Sequence, residues 1–335
     1  MEKDGSLMSF YRHTHSPIDH PREYPMDLSV VIPCMNGAGV IGDQLVALAR
    51  QNWHRPWEVI VADNGSTDDT AVIVEKHKQL LPELRLVDAS QRRGAAHARN
   101  TGVVAARGKA IAFCDADDQV GSGWLAAMGG ALDRHQFVAA RIDISKLNPP
   151  QIADIVRNPQ WDGLQRVDYP PHLNHASGAT LGITREAHET VGGFDEELPY
   201  LEDTDYCFRL QLSGIDLHFL PEAVIHYRFK SRHQAMFNQA RHWGQYNVLM
   251  YKRYRQDMRL ANPWKRHLSR WHALIRRAPS LLQEQNRLAW MKTLGTQVGV
   301  LQGAIRYRVP PIAVWVLCSL AQAASYLDDI FPPMS

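Results

Sequence analysis

The chain has 335 residues, of which 45% are hydrophobic and 21% are charged, and its formal net charge is +2. This composition is ordinary for a folded globular protein and excludes a chain that is disordered throughout. The length suits one large folded domain with an appended segment, or two smaller domains.

Strands and helices alternate over the first third of the chain. Short apolar runs predict strands at residues 28–33, 57–62, 84–88 and 109–114. Helical spacing of apolar residues predicts helices at 40–51, 68–81 and 94–106. This alternation is typical of an α/β fold with a mostly parallel sheet, in which functional loops follow the carboxyl ends of the strands.

The alternation ends near residue 120. Further helices are predicted at 124–134 and 202–213, and further strands at 137–144, 217–220 and 223–226. Residues 145–176 contain proline-rich and aromatic loops, and only helices are predicted after Ser231. We therefore expect a second, less regular half followed by a helical segment.

The two ends of the chain and the cysteines bear on its location. Residues 1–27 are polar and rich in His and Pro, so we expect a flexible tail without a secretion signal. The four cysteines are too far apart for a zinc knuckle or a CxxC pair, which fits a reducing, cytoplasmic setting. The apolar stretch at 309–327 contains prolines and polar residues, and favours an interfacial or packing helix over a membrane span.

Charge is distributed unevenly along the chain. Residues 228–308 hold 17 Lys and Arg but two acids, which leaves 20 basic and 33 acidic residues elsewhere. Such a basic segment predicts a polyanionic partner, either anionic lipid or nucleic acid. Its interleaved Trp and Tyr favour a membrane headgroup region, and we see no nucleic-acid-binding motif. We expect a peripheral protein on the cytoplasmic face of an anionic membrane, and do not expect nucleic acid.

Two acidic clusters could carry chemistry. Asp115 and Asp117 directly follow the predicted strand at 109–114, and two close carboxylates repel each other unless a cation lies between them. Such oxygen ligands suit Mg²⁺ or Mn²⁺. The second cluster, which includes Asp203, opens a predicted helix. Taken singly, the first cluster also fits a solvated turn, and the second fits the helix dipole.

Two segments contain small residues at positions that allow close packing. Gly94 and the alanines around Arg99 allow close backbone approach, and Arg99 can meet an anion, although a well-packed helix explains the segment equally. Gly295, Gly299 and Gly303 would form one smooth stripe on a helix. Such spacing permits close helix contact, either within a membrane or within the protein's own fold.

Five motifs occur in a characteristic order. They are VVIPCMNG at 30–37, VADNGSTDDT at 61–70, RGAAHARNTG at 93–102, AFCDADD at 112–118 and GGFDEELPYLEDTDYCFRL at 192–210. Together they resemble the family-2 inverting glycosyltransferases of GT-A fold, whose Rossmann-like, mostly parallel sheet is flanked by helices. The resemblance covers residues 28–228 and implies a nucleotide-binding half at 28–120 and an acceptor-binding half at 121–228. The helical basic segment at 229–335 follows, and we expect it to be membrane-associated.

The resemblance also implies residues that bind the donor. Pro33 would line the base pocket, and Asp63 would hydrogen-bond the base, for which uracil is expected. Asn64 stands where the family often has a second Asp. Gly94 and Arg99 would lie near the ribose and phosphates of a nucleotide sugar, expected to be a uridine diphosphate sugar.

Metal and catalytic roles follow from the same resemblance. Asp115 and Asp117 match the DXD motif, with Asp117 the better ligand for Mn²⁺ or Mg²⁺ and Asp115 facing the ribose or the metal waters. His226 matches a histidine that binds the metal in some members. Asp203 matches the general base, which would act on a glycan or lipid-linked acceptor.

Two alternatives of other classes remain at this point. A metal-dependent nucleotidyltransferase also uses an α/β sheet and paired aspartates, but normally carries a basic Gly-rich loop after its first strand. Residues 35–42 contain no Lys or Arg. The other alternative is a non-catalytic module whose basic segment binds nucleic acid or another anion.

Overall fold

The computed structural model describes residues 24–150, 158, 160–167, 169, 171–229, 232–254, 265–276, 278 and 284–309. Most of the predicted tail at 1–27 and nearly all of the apolar stretch at 309–327 lie outside these residues. Among the described helices, none combines the length and the apolar character that crossing a membrane requires.

Eight strands form the main sheet, in the spatial order β3-β2-β1-β4-β9-β6-β10-β5. They are β1 (Met26–Cys34), β2 (Trp57–Asp63), β3 (Leu84–Asp88), β4 (Gly108–Phe113), β5 (Gln119–Val120), β6 (Phe137–Asp143), β9 (Leu181–Thr184) and β10 (His218–His226). A separate two-stranded sheet pairs β7 (Gln165–Arg166) with β8 (Asn174–His175).

Helices cover the sheet and form the C-terminal part of the described chain. They are α1 (Ile41–Ala49), α2 (Thr70–His77), α3 (Ala95–Ala105), α4 (Trp124–Leu132), α5 (Arg185–Thr190), α6 (Glu202–Leu212), α7 (His233–Tyr254), α8 (Lys265–Arg276) and α9 (Glu284–Arg306). One turn of 3₁₀ helix at Gly178–Thr180 precedes β9.

Strand directions bring the functional loops to one edge of the sheet. β1 pairs in parallel with β2 and β4, β2 with β3, and β6 with β10. β9 runs antiparallel to both β4 and β6, which therefore point the same way. The carboxyl ends of β1, β2, β4, β6 and β10 consequently share one edge, and the predicted mostly parallel α/β sheet is confirmed.

The core lies on both faces of this sheet, which explains why its central strands carry apolar residues on both faces. In β1, Val30 and Ile32 belong to the buried cluster shared with α1 and α4, whereas Val31 belongs to the cluster shared with α3 and α6. The predicted strands at 217–220 and 223–226 are one strand, β10, whose register shifts between Leu220 and Val224.

The glycine stripe packs helix against helix. A Cβ atom at Gly299 would overlap the carbonyl oxygen of Arg241 on α7, and one at Gly303 would lie 2.6 Å from the carbonyl oxygen of Gln245. Gly244 of α7 is equally close to the backbone of α9. Of the two roles that the sequence allowed for the stripe, the structure supports close packing within the protein's own fold.

A stability measurement checks this packing. We expect Gly299→Ala to lower the free energy of unfolding by about 1–3 kcal/mol, because an added methyl group would overlap backbone that cannot easily move. The matched control is Gly130→Ala in α4, where an added Cβ meets nothing within 4 Å. The control should be neutral, or more stable by up to about 1 kcal/mol from helix propensity. Chemical denaturation would contradict the packing if both variants were equally stable.

Candidate functional site

A cleft of about 690 Å³ opens at the carboxyl edge of the sheet, beside the ends of β1 and β4 and the start of α3. Six residues singled out in the sequence line it: Pro33, Asn64, Gly94, Arg99, Asp115 and Asp117. Arg228 and Arg232, which follow β10, line it as well. The cleft thus combines acidic and basic walls.

Three carboxylates cluster directly after β4. Asp115, Asp117 and Asp118 each offer an oxygen, and these atoms lie within 4.8 Å of one another. Oδ1 of Asp118 accepts a hydrogen bond from the backbone N–H of Arg228 at 2.9 Å. Its Oδ2 is buried and has no hydrogen-bond partner within the described part of the chain. Burial, followed by the charges of Asp115 and Asp117, raises the pKa of Asp118 well above its usual value.

These residues fit a hard divalent cation. The donor set consists of oxygen atoms alone, which is the chemistry that Mg²⁺ and Mn²⁺ prefer. A buried carboxylate oxygen without a partner is costly unless something compensates it. A cation would compensate that oxygen and the mutual repulsion of the cluster at once.

Two residues at this position, one in the carboxylate cluster and one that contacts it, were not predicted from the sequence. Asp118 is the fourth residue of the DADD run, in which only the spaced pair Asp115 and Asp117 was predicted to bind a cation. Arg228 was counted only as part of the basic segment, yet its Nε donates to the backbone carbonyl of Asp117 at 3.0 Å. The DADD run was a usable signal for Asp118, whereas the position of Arg228 depends on β10 ending beside β5.

Arg99 joins the two acidic clusters. Its side chain is 4% exposed. Nη2 donates to Oδ1 of Asp115 at 2.9 Å, and Nη1 donates to Oε1 of Glu202 at 2.8 Å. Although burial opposes the charge, Asp115, Glu202 and Asp203 raise the pKa of Arg99 above its usual value. The expected contact between Arg99 and the phosphates stays a prediction, because both terminal nitrogens are engaged by carboxylates here.

Glu202 is the less expected partner in this arrangement. Burial, and next the neighbouring charge of Asp203, raises the pKa of Glu202 to about 7, against the lowering effect of Arg99. The ion pair with Arg99 therefore only partly offsets the cost of removing this carboxylate from water. Glu202 lies at the start of α6, so the Arg99 bridge ties the end of β4 to the first turn of that helix.

Asp203 lies in the same first turn and is held by backbone donors. Its Oδ2 accepts from the N–H of Gly178 at 2.9 Å, and its Oδ1 accepts from the N–H of Thr204 at 2.7 Å. A Cβ atom at Gly178 would lie 2.8 Å from Cζ of Arg99. Gly178 is thus in contact with both side chains, and Asp203 lies close to the Arg99 bridge although it does not line the cleft.

Asn64 lies in the cleft wall and holds the neighbouring loop, and its role in donor binding stays a prediction. Its Nδ2 donates to the carbonyls of Ala89 and Arg92 at 2.6 and 2.7 Å, and its Oδ1 accepts from the N–H of Gly94 at 2.8 Å. The side chain therefore fixes the loop that leads into α3. Gly94 adopts φ of 139°, a conformation that side chains disfavour.

Pro33 and Asp63 lie at the ends of neighbouring strands. Pro33 pairs with Ala62, and the next pair in the register joins Cys34 to Asp63. Oδ1 of Asp63 accepts from the N–H of Ser66 at 2.9 Å, which shapes the turn after β2. Base recognition by Pro33 and Asp63 stays a prediction.

His226 ends β10, beside the carboxylate cluster but not within it. Its Nδ1 lies 2.6 Å from Oδ2 of Asp143, which ends β6. Histidines that bind metals commonly have their other ring nitrogen on a carboxylate, so this contact suits a ligand. The role of His226 as a metal ligand stays a prediction.

Comparison with known proteins finds two family models that match this chain. Residues 29–192 match the family described as Glycosyl transferase family 2, and residues 172–327 match Glycosyl transferase family group 2. The pre-mycofactocin glycosyltransferase of Mycobacterium tuberculosis is 30% identical over 210 residues, which are 59% of this chain and 42% of that protein. The chain therefore spans less than half the length of this relative.

Two solved structures have a similar fold. The mannosyltransferase PcManGT of Pyrobaculum calidifontis, in complex with GDP-Man and Mn²⁺, gives a TM-score of 0.53 at 21% identity and covers 94% of this chain and 92% of its own. Staphylococcus aureus TarS 1-349, in complex with UDP-GlcNAc, gives a TM-score of 0.51 at 18% identity, and the match covers 84% of this chain and 92% of that one. Both likenesses bear out the expected GT-A fold.

A metal titration checks the carboxylate cluster. We expect Mn²⁺ to raise the thermal midpoint, because a ligand that binds only the folded state stabilises it. Asp117→Ala should abolish that rise. Asp118→Asn should also reduce it, yet leave the midpoint in chelator unchanged or higher, since an amide removes charge repulsion and can still accept from Arg228.

The control is Asp216→Asn, an exposed position outside the cluster, which should behave as the wild type in both conditions. Scanning calorimetry with Mn²⁺ or EDTA provides the measurement. A full Mn²⁺-dependent rise in Asp117→Ala would show that the cluster does not hold the cation.

Proposed function

The chain belongs to glycosyl transferase family 2, and on that premise we propose that it is an inverting, metal-dependent enzyme that uses a nucleotide diphosphate sugar. A uridine diphosphate sugar is the expected donor. Membership of this family supports a glycosyltransferase. It argues against the two alternatives from the sequence, a nucleotidyltransferase and a non-catalytic module.

One observation carries the proposal. A single buried guanidinium, that of Arg99, holds Asp115 of the carboxylate cluster and Glu202 beside Asp203, next to a cleft of about 690 Å³. The candidate metal-binding group and the candidate base therefore have a fixed position relative to each other. A transfer between two bound substrates requires such fixed positions. The cleft volume lies within the usual range of about 300–1,000 Å³ for ligand pockets.

Donor binding would use both walls of the cleft. Pro33 and Asp63 would receive the base, while Gly94 permits close backbone approach near the ribose and phosphates. Arg228 and Arg232 would offer guanidinium groups to the diphosphate, a geometry to which arginine is suited. The nucleotide sugars named in the two related structures, UDP-GlcNAc and GDP-Man, support this class of donor.

Asp115, Asp117 and Asp118 would hold Mn²⁺ or Mg²⁺, with His226 as a further candidate ligand. When bound, the cation supplies charge neutralisation to the diphosphate leaving group as the glycosidic bond to it breaks. Asp115 also keeps its contact with Arg99, so its position is fixed before a donor arrives.

Asp203 would act on the acceptor. Its carboxylate would take the proton from the acceptor hydroxyl while the oxygen forms a bond to the anomeric carbon. The bond from that carbon to the diphosphate breaks on the opposite face of the sugar ring, which inverts the configuration. The acceptor class that we propose is a glycan or a lipid-linked sugar.

Replacement of Asp203 tests this role. We expect Asp203→Asn to bind UDP with Mn²⁺ as the wild type does, and to lower the rate of UDP release from the best uridine diphosphate sugar about 100-fold or more. The readout includes slow release with water as the acceptor, so it requires no known acceptor. Asp216→Asn again serves as the control.

Two results would count against this assignment. Loss of UDP affinity with normal turnover at saturating donor would make Asp203 a donor-binding residue. A wild-type protein that releases no nucleotide from any uridine or guanosine diphosphate sugar would contradict the proposed donor class.

We also propose that the protein is peripheral on the cytoplasmic face of an anionic membrane. The basic residues after β10 have several uses within the described structure, since Arg228 contacts the carboxylate cluster and Arg253 pairs with acids near α6. Others are exposed at the end of α9, where Arg306 and Arg308 follow an exposed Ile305. Basic and apolar groups side by side suit a headgroup region.

Vesicle co-sedimentation tests the membrane proposal. Binding to anionic vesicles should fall as salt rises and be absent with neutral vesicles. Because each basic residue near an anionic surface contributes about 1 kcal/mol, the double change Arg306→Glu and Arg308→Glu should weaken binding at least about 30-fold. The paired control is Lys76→Glu with Lys78→Glu at the C-terminal end of α2. Equal binding to neutral vesicles would contradict the proposal.

A further inference from the structure

The end of α7 is anchored on the helix that carries Asp203. Asp205, two residues further along α6, is fully buried. Its Oδ1 accepts a hydrogen bond from Nη1 of Arg253 at 2.6 Å and another from the hydroxyl of Tyr254 at 2.7 Å. The last two residues of α7 therefore contact the start of α6 directly, although they belong to the basic C-terminal segment.

Arg253 also fixes the loop before α6. The same Nη1 donates to Oδ2 of Asp195 at 2.8 Å, so one guanidinium bridges two carboxylates. The other oxygen of Asp205 accepts from Nε of Arg209 within α6, at 2.7 Å. Loss of Arg253 would leave a buried carboxylate with less compensation, a change that a packed structure relieves by moving.

The backbone between Asp195 and Asp205 adopts a strained conformation. Leu201, immediately before α6, has φ of 61°, in the left-handed region that side chains disfavour. Leu201 packs against a buried cluster formed by Leu198 with Tyr246 and Met250 of α7. Contacts from α7 thus help to hold the strained turn that presents Glu202 and Asp203.

The position of Asp203 depends on this turn. Each of its two oxygens accepts from a backbone N–H, one from Gly178 and one from Thr204 in α6 itself. A rotation of the first turn of α6 would carry Asp203 and Thr204 together, but it would change the hydrogen bond to Gly178, which lies outside the helix. Whatever fixes that turn therefore fixes the direction of the carboxylate.

We propose that Arg253 is a positioning residue for Asp203, and that α7 is in this way part of the acceptor-side machinery. The inference rests on the proposed role of Asp203 as general base. The cleft residues at the ends of β1 and β4 make no contact with Arg253 among the described interactions. Removal of Arg253 should therefore impair proton transfer while donor and metal binding persist.

The test compares four variants by UDP release from the best uridine diphosphate sugar. Arg253→Ala should lower kcat about 10-fold or more, because small misplacements of a reacting group are costly. Arg253→Lys should restore a substantial part of kcat, and Tyr254→Phe should show a smaller loss. The matched control is Lys252→Ala: Lys252 is the exposed neighbour on the same helix and donates to the carbonyl of Tyr307.

The donor KM and the Mn²⁺-dependent rise in thermal midpoint should stay at wild-type values in all four proteins. Should Arg253→Ala fail to fold, Tyr254→Phe carries the test alone, because it removes one hydrogen bond and keeps the ring against Phe208. A lower midpoint with unchanged kcat would overturn the inference. A loss of kcat as large in Lys252→Ala would overturn it too.

The two proposals fail in different ways. Wild-type turnover in Asp203→Asn would end the proposed role of Asp203. An inactive Asp203→Asn, combined with wild-type kcat in both Arg253→Ala and Tyr254→Phe, would leave that role intact and end only the inference about Arg253.

Discussion

The bridge made by the guanidinium of Arg99 is the interaction on which the rest of the site depends. It is largely excluded from water and pairs with carboxylates from two distant parts of the chain, Asp115 and Glu202. A buried charge persists only when its partners are in place, so the bridge requires β4, α3 and α6 to come together correctly. The carboxylate cluster and Asp203 take their relative position from that requirement.

Much of the sheet could be predicted from the sequence because its central strands are buried on both faces. The runs around Val30, Ile60 and Ile111 are continuous and apolar, and β1, β2 and β4 lie within one or two residues of the predicted strands. β5 and β9, with two and four residues, were missed because so short a run has no readable period. β9 is nevertheless what joins the two halves of the sheet.

Residues of the site that belong to sequence motifs could be predicted, whereas residues that reach the site through tertiary contacts could not. Pro33, Asn64, Asp115 and Asp117, which the motifs contain, line the cleft, and their binding roles stay predictions. The sequence could not show that both the oxygen and the nitrogen of the Asn64 amide hydrogen-bond to the backbone of the loop before α3. A count of basic residues also could not distinguish Arg228, which contacts the carboxylate cluster, from the basic residues that face solvent. Arg228 reaches the cluster only because β10 pairs with β5.

The small volume of Gly178 has a consequence for how this sequence can diverge. Its N–H is bonded to Asp203, and even one methyl group on its Cα would meet the guanidinium of Arg99. The spacer between these two side chains therefore already has the least possible bulk, and any larger residue at position 178 must displace Arg99 or Asp203. Sequence change at position 178 is thus more costly than change in the loops around the site.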